Sequence, residues 1–276
     1  MRKPMLMRST LSLAILACAL AGCGGQRSGP GKLQFYASGG DMARQGLLSK
    51  DGWQLTFDHL YVTVTGVTAY QTDPPYDPIY SADIIRYKVS TALDGTYTVD
   101  LAAGSAEGPA VLVGEDPDAP AGAYNAISWR MAPAPAGDAA GYSMVMIGRA
   151  QKDGQAIDLA IQLDWKGGYQ CGDFFVHGAG AAEKRGRLEA GGTADLEMTF
   201  AVDGIFGDGH VAAASILNQA ALGFEPLAAL AEGNKLDVDL NSLRSALSAD
   251  AYQAFEQALT EMGHVGAGLC YYLGEQ

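Results

Sequence analysis

Apolar and polar residues alternate with a period of two through most of residues 33–202, the signature of strands with one buried face. The clearest case is AIDLAIQLDW at 156–165. Ile157, Leu159, Ile161, Leu163 and Trp165 fall on one face, and Asp158, Gln162 and Asp164 on the other. GYSMVMIGRAQ precedes it across KDGQ, where Asp153-Gly154 suits the positive φ angles of a type I′ turn, so 142–165 is predicted to be a hairpin. ADLEMTFAVD at 194–203 puts Leu196, Met198, Phe200 and Val202 on a core face and delivers Asp203 at its end. AYNAISWRM and GTYTVDL are further short strands. In 52–70 the frame slips: Trp53, Leu55 and Phe57 are apolar at odd positions, Leu60, Val62 and Val64 at even ones. A β-bulge near Asp58-His59 or a strand end explains the extra residue. PPYDP (74–78), GEDPDAPAG (114–122) and APAPAGDAAG (132–141) read as loops.

From about residue 210 the period lengthens. Residues 210–231 are predicted helical with a break near Gly223. Residues 248–263 form an amphipathic helix with Ser248 as N-cap, Gly263 as its stop, and Tyr252, Phe255, Leu259 and Met262 in one stripe. The expected fold is mainly β with C-terminal helices: an antiparallel β-sandwich over 33–209, capped by two or three α-helices from 210–276 that pack on it.

The N-terminus changes the picture from a domain to an anchored domain. Arg2, Lys3 and Arg8 precede the apolar run LSLAILACAL, which is too short to span a bilayer. LAGC, Leu20 to Cys23, resembles a bacterial lipobox, with cleavage after Gly22 and lipidation of Cys23. Residues 1–22 are then a lipoprotein signal peptide and 23–32 a flexible tether. Three acyl chains suffice for stable anchoring, and Gly24 after the cysteine fits retention at the outer membrane, facing the periplasm. Cleavage leaves 254 of 276 residues and takes the formal charge from −13 to −16, because all three lost charges are positive. That charge argues against nucleic acid and anionic membrane as partners and favours cationic ligands. With Cys18 in the signal and Cys23 lipidated, Cys171 and Cys270 are left in an oxidising compartment and are expected to pair, the alternative being a thiolate metal ligand.

Several stretches together resemble an uncharacterised family of secreted bacterial lipoproteins with a β-sandwich-like core. They are the DGW…F strand and V-T-V run within Gly52–Val67, the G-x-A-x-x-D-G hairpin at Gly148–Gly154, Tyr169-Gln170-Cys171, and the GHVGAGLC tail at Gly263–Cys270. The resemblance implies no activity. DVDLNS at 237–242 has serine at the sixth and twelfth loop positions, outside the Ca²⁺-loop pattern.

Candidate chemistry centres on VDGIFGDGH (202–210). Asp203, Asp208 and His210, with His59 or His264 as a remote ligand, form a candidate metal site for Zn²⁺ or Cu²⁺. The competing explanation is structural: Asp208 caps a helix, His210 lies in its first turn, and His264 ends the last helix as a favoured cation. His177 is expected to be a loop histidine. No G-x-S-x-G, C-x-x-C, P-loop or G-x-G-x-x-G is present. The leading functional expectation is a non-enzymatic lipoprotein that binds a metal ion or small ligand for uptake or delivery. The alternatives are a structural lipoprotein with an envelope protein partner and no small-molecule site, and a carbohydrate-active enzyme.

Overall fold

A computed structural model of the chain describes residues 29–81, 84–172, 185–266, 268 and 270–274. Cys23 and His177 lie outside them. In chain order the elements are β1 (Pro30–Ser38), α1 (Met42–Gln45), β2 (Leu47–Leu48), β3 (Gln54–Thr72), β4 (Tyr87–Ala92), β5 (Thr96–Asp100), β6 (Val111–Pro120), β7 (Gly122–Ala123) and β8 (Ala126–Met131). There follow β9 (Met144–Lys152), β10 (Gln155–Leu163), β11 (Gly168–Gly172), β12 (Arg187–Leu188), β13 (Thr193–Phe200), α2 (Asp203–Phe206), α3 (Ile216–Ala220) and α4 (Glu225–Ala228). The chain closes with β14 (Lys235–Asp239), α5 (Leu240–Ala246), α6 (Ala249–Thr260), β15 (Gly263–His264) and β16 (Cys270–Tyr272). The protein is mainly β, with several sheets and short helices.

The long strand β3 is the spine of a ten-stranded sheet ordered β14-β10-β9-β3-β8-β11-β16, with β2, β4 and β5 also paired to it. The frame slip read in the sequence is a bulge: the β3–β9 register shifts between Phe57 and His59. Leu55 is buried before it, and Leu60, Val62 and Val64 after it. A second shift against β8, between Thr65 and Thr68, brings Val67 and Ala69 into the core. The predicted hairpin is present as β9 and β10. Asp153 (φ 50°) and Gly154 (φ 84°) form its two-residue turn, in the left-handed conformation that glycine tolerates and aspartate adopts at small cost.

A second sheet runs β15-β13-β1-β6. Its inward residues Leu33, Phe35, Leu196, Met198 and Phe200 share one hydrophobic core with Val62, Trp129, Leu159, Ile161 and Tyr169 of the large sheet and with Phe206, Phe255 and Leu259 of the helices. All three tryptophans are buried.

Several expectations need correction. The sheets are not purely antiparallel: β1 pairs parallel with β13, and β10 parallel with β14. β1 starts at Pro30, so the tether stops short of residue 32. Proline suits a first strand position, where no ladder N–H is required. GEDPDAP is not a loop but part of β6, an edge strand, where Pro117 is tolerated and the register slips beside it.

Residues 210–276 are not a purely helical cap, because β14, β15 and β16 return to the two sheets. Residues 210–231 are helical on either side of the predicted break near Gly223, but only as the short α3 and α4. Tertiary partners claim the backbone groups a longer helix would need. Lys50 Nζ donates to the Asn218 and Ala221 carbonyls, and Asn218 Nδ2 donates to the Asp208 carbonyl at 2.8 Å.

Helix α6 begins as predicted, with Ser248 Oγ accepting from the Ala251 N–H at 3.2 Å. It ends at Thr260, however, and Gly263 is not its stop. Gly263 pairs with Phe200 in β13, and a Cβ there would lie 2.4 Å from Cδ1 of Tyr169. Close ring approach, rather than helix termination, requires the glycine. DVDLNS also resolves structurally: Asp239 is the N-cap of α5, in a reciprocal capping box with Ser242.

Candidate functional site

A cavity of about 680 Å³ opens where the two sheets, α2, α3 and α6 meet. Its walls are built by three local devices. First, the chain after α6 is drawn back onto the sheets. The Ala201 N–H donates to the Met262 carbonyl at 2.9 Å, and β15 places His264 opposite Thr199. Second, the tail is locked. Cys171 and Cys270 face each other in the β11–β16 ladder and are joined as a disulfide. Tyr272 stacks on Trp165, with centroids 5.7 Å apart. Third, the loop after β3 is pinned at its base, where Asn125 Oδ1 accepts from both the N–H and the hydroxyl of Thr72, each at 2.9 Å. That loop supplies Pro78 and Ile79 to the groove.

Tyr169 ties these parts together beneath the groove. Its hydroxyl donates to the Leu259 carbonyl in the last turn of α6 at 2.5 Å, and burial pushes its pKa well up, so it stays a neutral donor.

The groove walls are mostly apolar, with Ile79, Ile216, Leu217 and Ala258 on one or other side. Asp203, Glu261 and His264 are the acidic and imidazole groups in them, and among the described residues no lysine or arginine lines the cavity. Glu261 Oε1 accepts from Gln257 Nε2 at 2.5 Å. Two carboxylates, with no lysine or arginine among the described lining residues, favour a negative local potential. Ile216 is 88% exposed at its rim, an apolar side chain that the fold itself does not use.

The five sequence-predicted metal residues separate. Asp203 and His264 come together in the walls of this groove. Asp203, though, is not at a strand end: β13 stops at Phe200, and Asp203 opens the single turn α2. His264 does not end α6; it belongs to β15. Asp208 caps no helix, since α3 begins at Ile216 under Ser215. Its Oδ1 accepts the His210 N–H at 2.7 Å in a local turn, and His210 is exposed there.

That turn is fastened by the Gly209 N–H to the Leu48 carbonyl at 2.7 Å and does not line the groove. His59, beside the bulge, gives its Nδ1 to Asp100 Oδ2 at 2.8 Å and stacks on Tyr61. Among the described residues no group of three or more His, Cys, Asp or Glu side chains is placed to hold a metal ion.

Sequence reading missed Glu261, Ile79 and Ile216. Glu261 lies on the polar side of α6 and resembles any solvated helix residue. Ile79 follows the segment read as a loop at 74–78, and Ile216 lies within the segment read as helix at 210–231, where apolar residues are expected to be buried.

Comparison with protein families, with curated proteins and with solved structures returns no match for this chain. The function therefore has to be argued from the groove and the surface alone.

Proposed function

We propose that the protein is an outer-membrane lipoprotein, anchored through Cys23 and facing the periplasm, that binds a small ligand in the groove between α2, α3 and α6. The single observation that carries this reading is the composition of that groove: apolar walls around Asp203, Glu261 and His264, with no lysine or arginine among the described residues that line it. Few convergent polar groups in an apolar concavity are the usual design of a small-molecule site. The ligand that fits has an apolar body and a positively charged group, held by the two carboxylates. The acidic surface favours approach of such a molecule.

In the same reading the two main sheets face each other as a sandwich, and the one core that draws on both of them supports this arrangement. Zn²⁺ or Cu²⁺ is the second reading, favoured by the meeting of Asp203 and His264 in one wall; it needs further ligands from water or from the bound molecule.

Calorimetric titration separates the two. Alkyltrimethylammonium probes are expected to bind the parent and to lose affinity in Asp203→Asn and Glu261→Gln. Zn²⁺ and Cu²⁺ heats that vanish in His264→Ala select the metal. Silence in every titration leaves a structural or interaction lipoprotein.

A further inference from the structure

Four large apolar side chains stand in solvent along one segment: Ile79 (63% exposed), Tyr80 (87%), Ile84 (59%) and Tyr87 (53%). Such a group marks a surface that meets an apolar partner, and its place in the fold selects which one. Thr72 at the end of β3 pairs with Tyr87, and the rings of Tyr70 and Tyr87 are 5.1 Å apart. Beside Thr72, Gln71 Nε2 donates to the Pro120 carbonyl at 3.1 Å, and Pro120 pairs with Pro30, the first residue of β1. The apolar segment and the point where the N-terminal chain enters the fold are thus at one end of the protein. From Cys23 to Pro30 the chain spans no more than about 25 Å. A lipid on Cys23 holds this end against the bilayer.

We propose that Ile79, Tyr80, Ile84 and Tyr87 dip into the membrane interface and form a second contact beside the lipid anchor. The inference rests on the reading of Cys23 for its orientation. The side chains suit the two zones of the interface. Isoleucine enters the acyl boundary, while tyrosine keeps its ring apolar and its hydroxyl at the headgroups. Arg86, exposed on the same segment, can reach phosphate with its stem along the apolar surface. The acidic body is repelled by anionic lipid, so the attraction is apolar, works on zwitterionic bilayers and resists salt. Ile79 belongs to both this patch and the groove wall, which sets the groove's rim beside the membrane.

The test uses the full lipidated protein with an environment-sensitive fluorophore on Tyr80→Cys or Ile84→Cys. It is attached without reduction, so that Cys171–Cys270 stays closed. Asp153→Cys, in the turn at the far end of β3, is the control. On phosphatidylcholine vesicles, emission at 80 and 84 is expected to rise severalfold and shift to shorter wavelength, unchanged by about 0.5 M salt, while 153 stays aqueous. If the protein floats with vesicles but 80 and 84 stay aqueous, the insertion is overturned and the anchor stands. If it does not float, the anchor fails; titration of the same labelled protein to millimolar lipid then decides, and no shift overturns the insertion. A shift without lipid that grows with protein concentration replaces the membrane by a second copy of the chain.

Discussion

Opening the Cys171–Cys270 bond tests how the groove is held. The bond closes a sequence separation of 99 residues. In the chain-entropy treatment a loop of that size restricts the unfolded state by about 4.7 kcal/mol. The native side adds a local effect: among the described residues the three-residue β16 pairs with β11, and the bond and the Trp165–Tyr272 stack reinforce that short ladder.

Cys171→Ala with Cys270→Ala is therefore expected to cost about 4–5 kcal/mol. For a domain of this size that lowers Tm by roughly 10–20 °C. Denaturant unfolding of the parent, with and without reductant, and of the double variant measures it. Cys270 and Tyr272 line the groove, so the double variant should also weaken probe binding at temperatures where it is still folded. A loss below about 1 kcal/mol, with binding unchanged, would refute the idea that the disulfide both restricts the unfolded chain and fixes the groove wall.

Further expectations concern the supports of the site. Asp239→Ala removes the N-cap of α5 and should cost about 1 kcal/mol at neutral pH, read by chemical denaturation. The Ser242 backbone N–H holds the Asp239 carboxyl below the usual carboxylate range, so its contribution is present above the unfolded pKa and is lost as pH falls through the folded one. The difference in Tm between parent and variant should accordingly shrink below about pH 4. Gly263→Ala drives a methyl into the ring of Tyr169 and should cost about 1–3 kcal/mol; an unchanged Tm means the ring moves freely.

What the sequence revealed follows from where local rules decide. Strict alternation in 156–165 and the Asp153-Gly154 turn specify the hairpin because both signals are local, and the odd-to-even slip at Asp58-His59 specifies the bulge for the same reason. GEDPDAP misled because proline usually marks a loop, whereas an edge strand needs no inward N–H at that position. In 210–231 the break near Gly223 was legible, but not the shortness of α3 and α4, because helical periodicity cannot register Lys50, more than 160 positions away, taking the Asn218 and Ala221 carbonyls. The groove was half legible: Asp203 and His264 stood out as unusual residues and line it, whereas Asp208 holds a turn through the His210 backbone N–H and the His210 side chain stands exposed outside the groove.

The central claim, that the groove holds a small ligand, is tested most directly by mass spectrometry under non-denaturing conditions on protein released from its own envelope, comparing the parent with Ala220→Trp. Ala220 lines the groove at an exposed position, so tryptophan there fills the space without entering the core. The account predicts a small bound species on the parent, carrying a positive charge and an apolar body, that is absent from Ala220→Trp. A parent that carries no such species, or one that survives the substitution unchanged, would contradict it.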